Sequence, residues 1–121
     1  MMIQPASESP DLTDLERSVL ETAFSSAGRA AEFRSQIAAA SVALRTPSGV
    51  GFVTKLSISD EYRVPEDTFA IPVVKGEHPA LPSGAEFILQ VKNGRITCIE
   101  AFCYEGMWPV DESQFRIHAG P

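Results

Sequence analysis

The chain reads as an α+β domain, with two N-terminal helices packed on one face of a mainly antiparallel meander sheet of four to six strands. Three observations predict this. Apolar residues recur at helical spacing as far as Ala40, alternation with a period of two begins at Val42, and an Asn93-Gly94 step separates two apolar runs near the carboxyl end. Helices followed by consecutive strands on short turns form an α+β arrangement, both helices covering one sheet face. At 121 residues and 44% hydrophobic content the chain suits one domain, 11–121, with a core that needs no staples. Residues 1–10 are rich in Ser and Pro and read as a loose, disordered tail.

Order begins at Thr13. Thr13-Asp14-Leu15-Glu16 is a capping box, Leu12 is placed for a hydrophobic staple, and Leu15, Val19, Leu20, Ala23 and Phe24 follow at helical spacing until Gly28 stops the helix. A second helix over 30–40 carries Phe33, Ile37 and Ala40 or Ser41 on one stripe, leaving Arg29, Glu32, Arg34 and Gln36 for solvent. Then Val42, Leu44 and Thr46 alternate with Ala43 and Arg45, Pro47-Ser48-Gly49 turns the chain, and Phe52, Thr54, Leu56 and Ile58 alternate with Val53, Lys55, Ser57 and Ser59. The charged stretch 60–67 with Pro65 reads as a loop. Residues 69–75 form a candidate third strand that Pro72 confines to an edge or a bulge, and a loop through Gly76, His78, Pro79, Pro82 and Gly84 leads onward. After the hairpin, 106–109 break the pattern and 115–118 offer a short last strand.

Gly84 to Tyr104 spells a β-hairpin. Asn93-Gly94 suits a two-residue type I′ turn, since both central positions need positive φ. Counting outward pairs Lys92 with Arg95, Val91 with Ile96, Leu89 with Cys98, Phe87 with Glu100 and Ala85 with Phe102, so the core-facing row is apolar except for Glu100. A three-residue loop would instead set Arg95 and Thr97 against that row. The other face, carrying Ile88, Ile99, Ala101 and Cys103 in its middle, is expected to be partly covered by a loop or a partner.

Glu100 and Thr54 are then the polar members of the core face. A carboxylate among apolar neighbours needs partners or its pKa rises. Thr54, Tyr62, Tyr104, Trp108, Arg45 and Arg63 are the candidates by residue type. Two readings stay open: a structural tie, or a ligand-facing acid or base assisted by Thr54 and Tyr104. Trp108-Pro109 either caps the sheet end as core or anchors a contact surface. The candidate pocket residues are therefore Glu100, Thr54, Tyr104 and Trp108, with no catalytic set.

Other chemistry is excluded or weak. Sixteen acidic against ten basic residues give a net charge of −6, which disfavours sequence-independent nucleic-acid binding and suits a basic partner. His78 and His118 have no Cys or carboxylate at ligand spacing, so solvated histidines are expected and neither a metal nor a cofactor. Gly49-Val50-Gly51-Phe52 resembles half a phosphate loop but runs into a strand rather than opening a helix. Ser48 lacks a nucleophile elbow, and the acidic pairs along the chain read as solvated charges. Cys98 and Cys103, five apart on one strand, face opposite ways and cannot bond each other. MMIQPASESP has no basic or apolar leader region, and the longest uncharged run in the helical half is too short to cross a bilayer, so a cytoplasmic setting is expected.

The segments Gly49-Val-Gly-Phe-Val-Thr54, Gly84-Ala-Glu-Phe-Ile-Leu-Gln-Val91, Asn93-Gly-Arg-Ile96 and Ile99-Glu-Ala-Phe-Cys-Tyr104, closing with Trp108-Pro109, resemble a group of small bacterial proteins of unknown function. The likeness spans about residues 45–109; Glu86 stands where that group often has Gly, and Phe102 where it often has Tyr. It implies a bacterial single-domain fold and carries no chemistry. The expectation is a non-enzymatic module binding a basic protein, an immunity- or antitoxin-like role being one form. The alternative is a small enzyme or ligand pocket using Glu100. Homodimerisation through Ile88, Ile99, Ala101 and Cys103 would be compatible with either.

Overall fold

The computed structural model describes residues 10–65 and 69–120. All but the last residue of the expected N-terminal tail, and part of the expected 60–67 loop, lie outside these. The order is α1 (Asp14–Ser26), α2 (Ala30–Ala39), β1 (Ser41–Pro47), β2 (Gly51–Ser57), β3 (Val74–His78), β4 (Leu81–Lys92), β5 (Arg95–Cys103) and β6 (Arg116–Ala119). Two 3-10 turns, Asp60–Tyr62 and Glu112–Gln114, punctuate the loops. The strands form one antiparallel sheet in the order β1-β2-β5-β4-β3-β6. The α+β class is as expected. Strict meander order is not kept, because β2 pairs with β5 and the link from β2 to β3 crosses to the far side of the hairpin.

The capping box forms in full. Thr13 Oγ1 accepts from the Glu16 N–H at 3.0 Å, and Glu16 Oε1 accepts from the Thr13 N–H at 2.9 Å. At the other end Gly28, at φ +73°, lets the Arg29 N–H reach back to the Phe24 carbonyl at 2.8 Å. Leu15, Val19, Leu20, Ala23 and Phe24 are buried, and Phe33 of α2 stacks on Phe24 at 4.1 Å between ring centroids.

Gln36 departs from expectation. It is fully buried rather than solvated. Its position three residues after Phe33 puts it on the buried stripe, and its amide is satisfied there. Nε2 donates to the carbonyls of Gly94 (2.7 Å) and Tyr62 (3.0 Å), while Oε1 accepts from the Ile96 N–H (2.9 Å). One side chain thus ties α2 to the hairpin tip. Gly94 is required at that tip, since a Cβ there would lie 2.0 Å from the Val64 carbonyl oxygen.

The hairpin turn is the expected one, with Asn93 at φ 55° and Gly94 at φ 73°. Lys92 pairs with Arg95 and Val91 with Ile96, also as expected. Beyond them the register slips. Gln90 pairs with Cys98, leaving Thr97 as a β-bulge, so Leu89 meets Ile99, Phe87 meets Ala101 and Ala85 meets Cys103. The expected inward row of Cys98, Glu100 and Phe102 is replaced by Ile99, Ala101 and Cys103, all buried. Energetics favour the slip: burying a carboxylate costs several kcal/mol, whereas burying an Ile side chain gains about 1.5–3 kcal/mol.

Two further elements differ from the sequence reading. β3 starts at Val74, past Pro72, so Gly76 and His78 lie in a strand and the turn is at Pro79-Ala80. His78 is buried rather than solvated. Its Nδ1 accepts from the Ala80 N–H at 3.0 Å, leaving Nε2–H to donate to the Asp111 carbonyl at 2.8 Å. The sheet face away from the helices stands open, with Leu44, Ile88, Gln90, Glu100 and Tyr104 all exposed. No helix among the described residues is long and apolar enough to cross a membrane.

Candidate functional site

The buried acid of this fold is Glu16, not Glu100. Capping α1 turns its carboxylate into the core, at 1% exposure. Arg45 arrives from β1 because a bulge at Ala43 shifts the pairing, so that Leu44 faces out beside Lys55 and Arg45 faces in beside Thr54. Arg45 Nε donates to Glu16 Oε2 at 2.9 Å and Nη2 to Oε1 at 2.6 Å, a two-pronged clamp, while Nη2 also reaches the Asp11 carbonyl at 3.0 Å. Thr54 Oγ1 completes the set by donating to Oε2 at 2.6 Å.

Burial alone would push the Glu16 carboxyl up. The hydrogen bonds from Arg45, Thr54 and the Thr13 backbone, with the Arg45 charge, outweigh it and hold the group below its ordinary value. Each carboxylate oxygen carries two donors. Glu16 therefore stays ionised with no lone pair to spare, and serves as the structural tie that was one of the two readings open for Glu100.

Beside this tie opens a cleft of about 390 Å³ at the end of the sheet. Pro47, Phe52, Trp108, Pro109 and Val110 form its apolar walls, and Thr13, Glu16, Arg45 and Glu112 its polar lining. The Gly49-Val-Gly51 loop is its brace. The Gly49 carbonyl accepts from the Trp108 N–H at 2.8 Å and the Val50 carbonyl from the Cys103 N–H at 2.9 Å. Gly51 is packed so closely on β5 that a Cβ there would fall 1.8 Å from the Ala101 carbonyl oxygen. Trp108 is wedged edge-on against Phe52 (5.5 Å) and Phe87 (5.9 Å) and lies over Phe115 at 5.0 Å. Its indole Nε1–H donates to Glu112 Oε2 at 2.8 Å, and the Glu112 carboxylate has no other hydrogen bond or ion pair among the described residues.

The four residues singled out from the sequence do not assemble. Thr54 is buried under the cleft against Glu16, and Trp108 lines the cleft. Glu100 is exposed on the opposite face of the sheet, between Val53 and Ile88. Tyr104 is 61% exposed and donates to Glu86 Oε2 at 2.8 Å, a bond that raises its phenol pKa. Glu100 thus cannot act as a base under the helices. The expected dimer patch fails for the same reason: Ile88 is on the surface, but Ile99, Ala101 and Cys103 are in the core. Cys98 and Cys103 do face opposite ways, with Cys98 outward and Cys103 inward, the reverse of the expected assignment.

A larger groove of about 640 Å³ runs between α1 and α2; among the described residues its charged groups, Arg17, Glu21 and Arg34, form no ion pair, and Arg17 Nη1 donates to the Ile37 carbonyl at 3.5 Å. Among the described residues no three His, Cys, Asp or Glu side chains gather as a metal site. Glu16, Arg45 and Glu112 were missed as site residues. The signal for Glu16 was present, since it precedes Val19, Leu20 and Ala23 at helical spacing on the buried stripe. No family model, curated protein or solved structure matches this chain.

Proposed function

We propose that this chain is a small non-catalytic binding domain that docks a basic protein through the Trp108 cleft, an immunity- or antitoxin-like role being one form. The observation that carries the reading is an apolar recess rimmed by exposed apolar side chains on one loop pair. Val110 (103% exposed) belongs to the wall itself, Met107 (75%) and Val50 (46%) are chain neighbours of the lining residues Trp108 and Gly51, and large apolar groups so exposed favour a covering surface. Acidic groups flank the same end, with Asp11 and Asp111 exposed and Glu112 in the wall, in a chain of net charge −6. Such a field draws a cationic partner and speeds encounter. Two unpaired thiols fit a reducing, cytoplasmic compartment. Glu16, ionised and with both oxygens engaged, offers a substrate no proton acceptor.

The test is site-directed crosslinking in cells. Replacing Val110 by p-benzoylphenylalanine is expected to yield, on irradiation, a discrete adduct with a basic protein, and the same replacement of Leu44 on the open sheet face is expected to yield none. Adducts from position 44 but not from 110 would overturn the reading.

A further inference from the structure

Three charged side chains line the Trp108 cleft, and two of them cancel. Glu16 and Arg45 are clamped together at 2.6 and 2.9 Å. Glu112 alone is uncompensated: one oxygen holds the Trp108 indole N–H, and no described residue pairs with the other. An apolar recess containing a single unpaired carboxylate has a defined complement. We propose, building on the reading above, that the group entering the cleft is a lysine or arginine side chain of the basic partner, its stem against Pro47, Phe52 and Val110 and its cationic head on Glu112.

Long cationic side chains lay their methylenes on apolar surface and keep the charged head free for an ion pair, and this cleft offers both kinds of lining. Trp108 adds attraction for a cation near its ring, and a charge-assisted hydrogen bond in a half-buried setting is stronger than a neutral one. The competitors fare worse. A leucine or phenylalanine would cover the walls but strip water from Glu112 without replacing it, and an acidic side chain would meet like charge. The lining therefore selects for charge as well as for size.

Trp108 is the one tryptophan of the chain, so its emission reports directly on the cleft. The experiment pans a random twelve-residue peptide display library on the intact protein, then titrates the enriched peptides while following Trp108 fluorescence. Enriched sequences are expected to share a Lys or Arg at one position and to shift the emission. Exchanging that arginine for citrulline, equal in shape but uncharged, should weaken binding at least tenfold on the wild type and less than twofold on Glu112→Gln. Enrichment of a Leu or Phe at the common position, or a common arginine whose exchange for citrulline changes nothing, with emission still shifting in either case, would overturn the cationic assignment and leave the binding-domain reading standing. Should no peptide move the emission, both fall. Where Glu112→Gln does not fold, the citrulline comparison on the wild type decides alone.

Discussion

Glu16 shows how one side chain serves two levels of structure. Its carboxylate closes the capping box of α1 and also receives Arg45 and Thr54 from two strands, so helix start and sheet edge share one anion. Removing it takes away the buried carboxylate that both prongs of the Arg45 guanidinium, 5% exposed, hold. Glu16→Gln is expected to lower unfolding free energy by about 3–5 kcal/mol, and Glu16→Met with Arg45→Met together by far less, as for other buried pairs. Glu100→Gln, on the open face, should stay within about 0.5 kcal/mol of wild type. Urea denaturation measures all three. The pH dependence has a definite sign: since the folded-state pKa lies below the ordinary value of 4.5, the Glu16 contribution is complete above that pH and disappears as acid carries the group through its folded pKa. Wild type and Glu16→Gln should therefore converge in stability below pH 4.5, and a gap that stayed constant to pH 2 would contradict the tie. Much of this was legible. Thr54 was expected inward, and Arg45 was named among the candidates able to satisfy a buried acid. The wrong acid was chosen because the hairpin register was extended past a residue that does not belong to the ladder.

At the scale of elements, that residue is Thr97. Helix ends are set by local chemistry, a capping box and a glycine at φ +73°, and were read from sequence to within a residue or two. The turn at Asn93-Gly94 was equally local. A bulge is not, because the preference for Ile99 over Glu100 in the core depends on what the other face of the fold supplies. Deleting Thr97 should regularise the β4–β5 ladder without changing which residues face inward, since Gln90 already pairs with Cys98 and Leu89 with Ile99. A stability loss under about 2 kcal/mol is expected by chemical denaturation, covering the lost Thr97 Oγ1 bond to the Gln90 carbonyl and altered local twist. Collapse of the fold on deletion would show that the straight ladder is the true register. Gln36 teaches the same lesson from the helical side. Its spacing marked it as buried, its polarity suggested otherwise, and three long-range hydrogen bonds decided for spacing.

Across the whole molecule, the sheet divides two environments. One face is filled by the helices. The other is open and mixes Val53, Ile88, Cys98 and Phe102 with Lys55, Glu86 and Glu100. The proposed binding end lies at neither face but where the β1–β2 turn, the β5 exit and the start of α1 meet around Trp108. That meeting was not legible in the sequence, because the pairing of β2 with β5 joins segments more than forty residues apart and no local pattern encodes it. Of the two expectations for Trp108, core cap or contact anchor, the geometry shows the first: it packs on Phe52, Phe87 and Phe115, and its other side lines the cleft. The central claim is that binding occurs here rather than on the open sheet face. Amide chemical-shift mapping of the isotope-labelled protein against an arginine-bearing peptide selected on it tests this most directly. Shifts concentrated at Thr13, Gly51, Phe52 and the stretch from Trp108 to Glu112 are the expected result; shifts centred on Val53, Ile88, Cys98 and Phe102, with the cleft silent, would contradict it.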